Sequence, residues 1–100
     1  MNVQTIPLQQ VPFQQFSINL NNQPCTIKVH QRDGHVYVDL YVNGNAVVLG
    51  ALARDRVGLT RHAYLPFKGE LLFVDTHGSD DPQYTELESR WRLVHIPERD

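Results

Sequence analysis

Residues 36–50 read VYVDLYVNGNAVVLG. Val36, Val38, Leu40 and Val42 take every second place, and Tyr37, Asp39 and Tyr41 take the places between. A period of two puts the first set on one side of a pleated strand and the second set on the other. Asn43-Gly44 follows, a pair that tolerates the positive φ of a two-residue hairpin turn. AVVLG is then the return strand. The same grammar extends upstream. Asp33-Gly34 supplies the preceding turn, Cys25, Ile27 and Val29 share one side of CTIKVH, Asn21-Asn22 suits a further turn, and Phe16, Ile18 and Leu20 share one side of FSINL. Downstream, ELLFVDT (70–76) reads as a strand with its apolar run in the core. RWRLVHI (90–96) closes the chain, with Trp91, Leu93 and His95 opposite Arg90, Arg92 and Val94. The fold predicted is all-β, a small antiparallel meander forming a sandwich or partly open barrel.

Length and composition bound the rest. One hundred residues make one domain with a thin core. The domain is placed at 16–97, after an extended arm at 1–15 and before a polar tail at 98–100. The segment at 51–67, ALARDRVGLTRHAYLPF, reads as an irregular crossover or a single helical turn between Gly58 and Pro66. Nine basic against eleven acidic residues give a net charge of −2, not the basic face of a nucleic-acid binder. No apolar run is long enough to span a bilayer. MNVQTIPLQQ lacks the basic-then-apolar pattern of a signal peptide. With Cys25 as the single cysteine no intrachain disulfide forms, and synthesis in a reducing cytoplasm is the expectation.

The stretch FVDTHGSDDPQYTELESRW (73–91) carries most of the candidate chemistry. A calcium loop starting at Asp75 finds oxygen at Ser79 and Asp81 and a glutamate at the twelfth place, Glu86. It meets His77 where a hard oxygen ligand is wanted and Asp80 where the turn requires glycine. His30, His35, His62, His77 and His95 form no HxH, HxxxH or HExxH spacing, although His30 and His35 flank a hairpin turn and can approach each other across it. Cys25 lies on the apolar side of its strand, where a thiol behaves as a small hydrophobe. Ser17, Ser79 and Ser89 lie in no GxSxG elbow. Paired carboxylates such as Glu86 and Glu88 need a cleft that so small a domain rarely builds. The expectation is a solvated connecting loop, with no catalytic residue, metal or cofactor.

Surfaces for partners are the remaining candidates. VQTIPLQQVPFQQ has two prolines, five glutamines and no helical period, which favours an extended run lying on something else. On that reading Ile6, Leu8, Val11 and Phe13 bury against a neighbour, and removing the arm leaves the fold intact. Tyr37 and Tyr41 share the mixed face of their strand, with Lys28, Arg32, Arg90 and Arg92 the cations that the sheet offers beside aromatics. A stand-alone small β-barrel binding oligonucleotide or glycan through Tyr37, Tyr41 and Trp91 is the alternative to a protein contact. Asp80 and Asp81 are expected to face a basic neighbour. Strand edges in so small a β domain must be capped or paired with another chain.

Three pieces taken in order, QTIPLQQVPFQQFSINLNNQPCTIKV, RDGHVYVDLYVNGNAVVLG and LPFKGELLFVDTHGSDDPQYTELESRWRLVHIP, cover nearly the whole chain. With their TIPL and VP arm, strand–hairpin–strand centre, LPF–G–LLFVD strand and SRW–L–V–IP ending, they resemble the small baseplate plug proteins of contractile-tailed bacteriophages. The resemblance implies a non-enzymatic structural component at the centre of the tail tip, near hub and spike. Such a protein closes the tube or links it to the baseplate through protein–protein contacts, without a cofactor. It also implies residence in the virion after synthesis in the host cytoplasm, other tail and baseplate proteins as partners, and a symmetric oligomer in the particle, with no nucleic acid or membrane as partner.

Overall fold

The computed structural model describes residues 3–20, 22–59 and 69–96. Seven strands run in chain order: β1 (Gln4–Ile6), β2 (Phe13–Leu20), β3 (Gln23–Arg32), β4 (His35–Val42), β5 (Asn45–Leu52), β6 (Glu70–Asp75) and β7 (Trp91–Ile96). A single 3-10 turn at Tyr84–Glu86 is the only helical element among the described residues. The strands form two antiparallel sheets, one of order β2-β3-β4-β5 and one of order β1-β7-β6. Among the described residues no strand pairing joins the two, so the sheets do not close into a barrel and the architecture is consistent with the expected sandwich or partly open barrel.

The meander from β2 to β5 follows the turn chemistry. Asp33 and Gly34 stand at φ 50° and 79°, and Asn43 and Gly44 at 53° and 80°. Two consecutive positive φ values define the hairpin turn whose twist matches the strands on either side. Register then follows: Ile27 pairs with Leu40 and Val29 with Val38, and all four are buried. Their apolar side meets Ile6, Leu71, Phe73 and Leu93 from the other sheet in one core. Leu87 from the loop and Ala53 and Leu59 from the connection after β5 complete it. β6 does not bury its whole apolar run. Leu71, Phe73 and Asp75 face inward and Leu72 and Val74 are half-buried, because a strand with helices on neither side keeps one wetter face.

The N-terminal reading needs correction. β1 pairs with β7, Gln4 opposite His95 and Ile6 opposite Leu93, and β2 already starts at Phe13. Residues 4–15 therefore belong to the sheets and the turn between them, not to an arm ahead of a domain starting at 16. A strand of three residues is too short to show a period, and its partner lies some ninety positions away, so no local pattern announces it. Of the segment 51–67, residues 51 and 52 end β5 and Asp55 forms a parallel bridge with Phe73. Residues 60–68, including LPF, and the tail at 98–100 lie outside the described residues.

Candidate interaction surface

The acidic stretch folds as a latch. Asp75 is buried at the inner end of β6. Arg90 grips it with both ends of its guanidinium, Nε to Oδ1 and Nη2 to Oδ2, each at 2.8 Å. The N–H of His77 donates to Oδ1 at 2.9 Å and that of Asp80 to Oδ2 at 2.9 Å. The Arg90 hydrogen bonds hold the Asp75 carboxyl far below the usual carboxylate range. Burial opposes them and the two N–H groups reinforce them. The same bonds push the Arg90 guanidinium further up. Arg90 also reaches Asp80 at 2.8 Å and lies over the Trp91 ring at 4.4 Å. Trp91 is buried and donates its indole N–H to Asp80 O at 3.0 Å. Asp55 accepts the Asp75 N–H at 2.7 Å, and Asp81 accepts the Asp55 N–H at 3.3 Å. Both oxygens of the Asp75 carboxylate are thus committed to holding the loop.

A second set of ties joins the loop to the other sheet. Gln31 accepts the Tyr84 N–H at 2.9 Å and donates to Gln83, which in turn donates to Gly34 O, the last two at 2.8 Å. At its other end, Glu88 accepts the N–H of Leu8 at 2.9 Å. Leu8 and Ile6, read as partner contacts, are buried in the core of their own chain.

The outer face of the four-stranded sheet is where the remaining sequence candidates meet. Phe13, His30 and Tyr37 line up across β2, β3 and β4, with ring centroids 6.4 and 6.0 Å apart. Phe13 is exposed and Val11 is half-buried. Arg32 lies over Tyr37 at 4.7 Å and Lys28 over Tyr41 at 5.1 Å. His30 Nε2 is 3.8 Å from Asp39 Oδ2. His30 and His35 do not meet across their turn, since the register pairs His30 with Tyr37 and His35 with Arg32. Cys25 is buried, its thiol is pushed up by burial, and it donates to Gln23 O at 3.3 Å. Trp91, named with Tyr37 and Tyr41 for a ligand face, stands in the other sheet and is not available to it. The place of His30 between two rings escapes single-strand reading. The Phe13–His30–Tyr37 line requires the register of three strands, and only the Asp33-Gly34 turn hints at it.

These features describe a small two-sheet β protein with a self-latched polar loop and one open sheet face. The family described as cyanophage baseplate Pam3 plug gp18 matches residues 3–98, and the chain belongs to this family of phage baseplate plugs. No curated protein matches the chain. Membership makes it a component of the phage tail baseplate, associated with other baseplate proteins. The likeness read from the TIPL arm, the hairpin centre and the SRW–L–V–IP ending is borne out.

Proposed function

We propose that the protein is a non-enzymatic plug that closes or links the hub and tube region of the baseplate through protein–protein contacts. The observation that carries this reading is the family match across 3–98, which takes in both sheets and the latch. The latch supports it, because the buried carboxylate of Asp75, where the candidate chemistry of the loop begins, has both oxygens occupied by Arg90 and the loop backbone. Phe13, Tyr37 and Tyr41, with Val11 half-buried among the same candidates, are the side chains we assign to neighbours. Asp80, exposed while paired with Arg90, turns the remaining acidity of the loop toward a basic neighbour, and Asp81 braces it. On this reading the plug is made in the host cytoplasm, joins a symmetric oligomer near hub and spike, and is carried in the virion. The oligonucleotide or glycan module has less support, since Arg32 and Lys28 already cover a face of Tyr37 and Tyr41 that a base or sugar would stack on.

Co-expression with the products of neighbouring tail genes tests the reading. A complex of defined mass that contains this chain, and loses it when Phe13 and Tyr37 are both changed to alanine, is the expected result. A chain that purifies alone beside every partner would remove the proposed role in closing or linking the hub and tube region. Normal assembly of an Asp80→Asn, Asp81→Asn double variant would remove the acidic contact alone.

A further inference from the structure

Each sheet has two edges, and three of the four are blunted. β5 slips register twice against β4, between Val38 and Leu40 and between Leu40 and Tyr41. β6 is covered by the connection after β5, with the N–H groups of Arg56 and Leu59 donating to Phe73 O and Leu71 O, both at 2.7 Å. β1 is three residues long. Bulges, cover and shortness are the usual ways of closing an edge. β2 has none of these among the described residues. Its eight residues, FQQFSINL, pair with β3 in unbroken register and carry no proline and no charge. Gln31 donates its N–H to Pro12 O at 2.8 Å. Antiparallel alternation therefore turns the N–H and C=O groups of Phe13, Gln15, Ser17 and Asn19 toward the open edge. The side chains of the same four residues are exposed.

We infer that β2 pairs antiparallel with β2 of a second copy, about a two-fold axis through Phe16. Three observations meet in that register. The first is charge. A strand that meets its own copy doubles every charge it bears, and like charges opposite each other destabilise a pair. All nine basic and eleven acidic residues of this chain lie at 28–100, so the side chains of β2 and of everything before it carry none. The second is hydrogen bonding. Gln15 falls opposite Ser17 of the second copy, and both turn free backbone groups outward. The third is shape. Phe13, 59% exposed, falls opposite Asn19 of the second copy. Beside Asn19 lies a hollow of about 440 Å³ lined by Ser17, Pro24, Thr26, Asn43 and Gly44. Phe13 and this hollow are on the same side of the sheet, since Phe13 pairs with His30, Ser17 with Thr26 and Asn19 with Pro24. The two-fold axis seats both phenylalanines at once, and an isologous contact has this self-complementarity.

The inference rests on the reading of the chain as a protein that works through protein contacts, and its test is separate. Light scattering behind size exclusion measures the mass of the purified full-length chain over a dilution series. Wild type is expected as a dimer that dissociates on dilution, with little dependence on salt because the interface is uncharged. A Gln15→Glu, Ser17→Glu double variant places one new carboxylate, at position 15, across from Lys28 within the monomer. In the dimer the same carboxylate faces the one introduced at position 17 of the second copy. Dimerisation should weaken about tenfold or more, with circular dichroism and Tm unchanged. Phe13→Ala should weaken it as well, which guards against a double variant that folds poorly. A wild-type chain that stays monomeric, or an oligomer that these variants leave intact, overturns the inference. A monomer that still enters a co-expressed baseplate complex overturns self-pairing alone and leaves the plug reading standing.

Discussion

Gly69 stands at φ 100°, just before β6, where a Cβ would sit 2.5 Å from Ile96 O and 2.6 Å from His95 Nε2. Backbone and a buried ring leave nothing to yield. Gly69→Ala is expected to cost roughly 1–3 kcal/mol, read as a lower urea midpoint with an unchanged slope. Asp75 makes a different kind of demand. Its carboxyl titrates far lower in the folded chain than in the unfolded one, because Arg90 and two N–H groups hold its charge. The stabilisation is complete above the ordinary carboxylate range and is lost as pH falls through that range toward the folded value. Wild type should therefore exceed Asp75→Asn in Tm at neutral pH, and the gap should shrink below about pH 4. A gap that stays constant into acid would show that the pairing charge is not what stabilises the latch. At this scale the sequence shows which side chains share a face in most strands, His95 with Trp91 and Leu93 included. It does not show the role of Asp75, because Arg90 lies fifteen positions on and meets it only after the loop closes.

Elements are legible where their pairing is local. The turns at Asp33-Gly34 and Asn43-Gly44 set the register of β3, β4 and β5 with two residues each, and the sequence names those residues outright. The irregularity of β5 is not visible in AVVLG. It appears only when Asp39, on the neighbouring strand, accepts the N–H of Gly50 at 2.6 Å and holds it at φ 65°. A side chain that props a bulge keeps the strand bent and its edge unattractive to other strands. Asp39→Ala should cost about 0.5–1.5 kcal/mol and speed hydrogen exchange at the Gly50 amide more than at Val38. Equal protection of the two amides in wild type and variant would mean that the bulge holds itself.

For the whole molecule, the N-terminal residues decide stability and not only contact. Ile6, the last residue of β1, is fully buried, and Leu8 adds a buried side chain and donates its backbone N–H to Glu88. Ile6→Ala should cost about 2–4 kcal/mol, and a chain starting at residue 9 should unfold at markedly lower temperature. A truncated chain with the Tm of the full one would restore the reading of 1–15 as a free arm. The sequence by itself determined the all-β class, the three-turn meander, the inward and outward faces of most strands and the kinship with baseplate plugs. Period-two burial and turn φ are properties of neighbouring residues, and kinship is carried by the order of the pieces. Only the tertiary structure decided that β1 closes a sheet with β7, that the acidic stretch is a latch on Arg90, and that among the described residues β2 alone keeps an open edge. Each of these depends on residues far apart in the chain, and their contacts exist only once both sheets have packed.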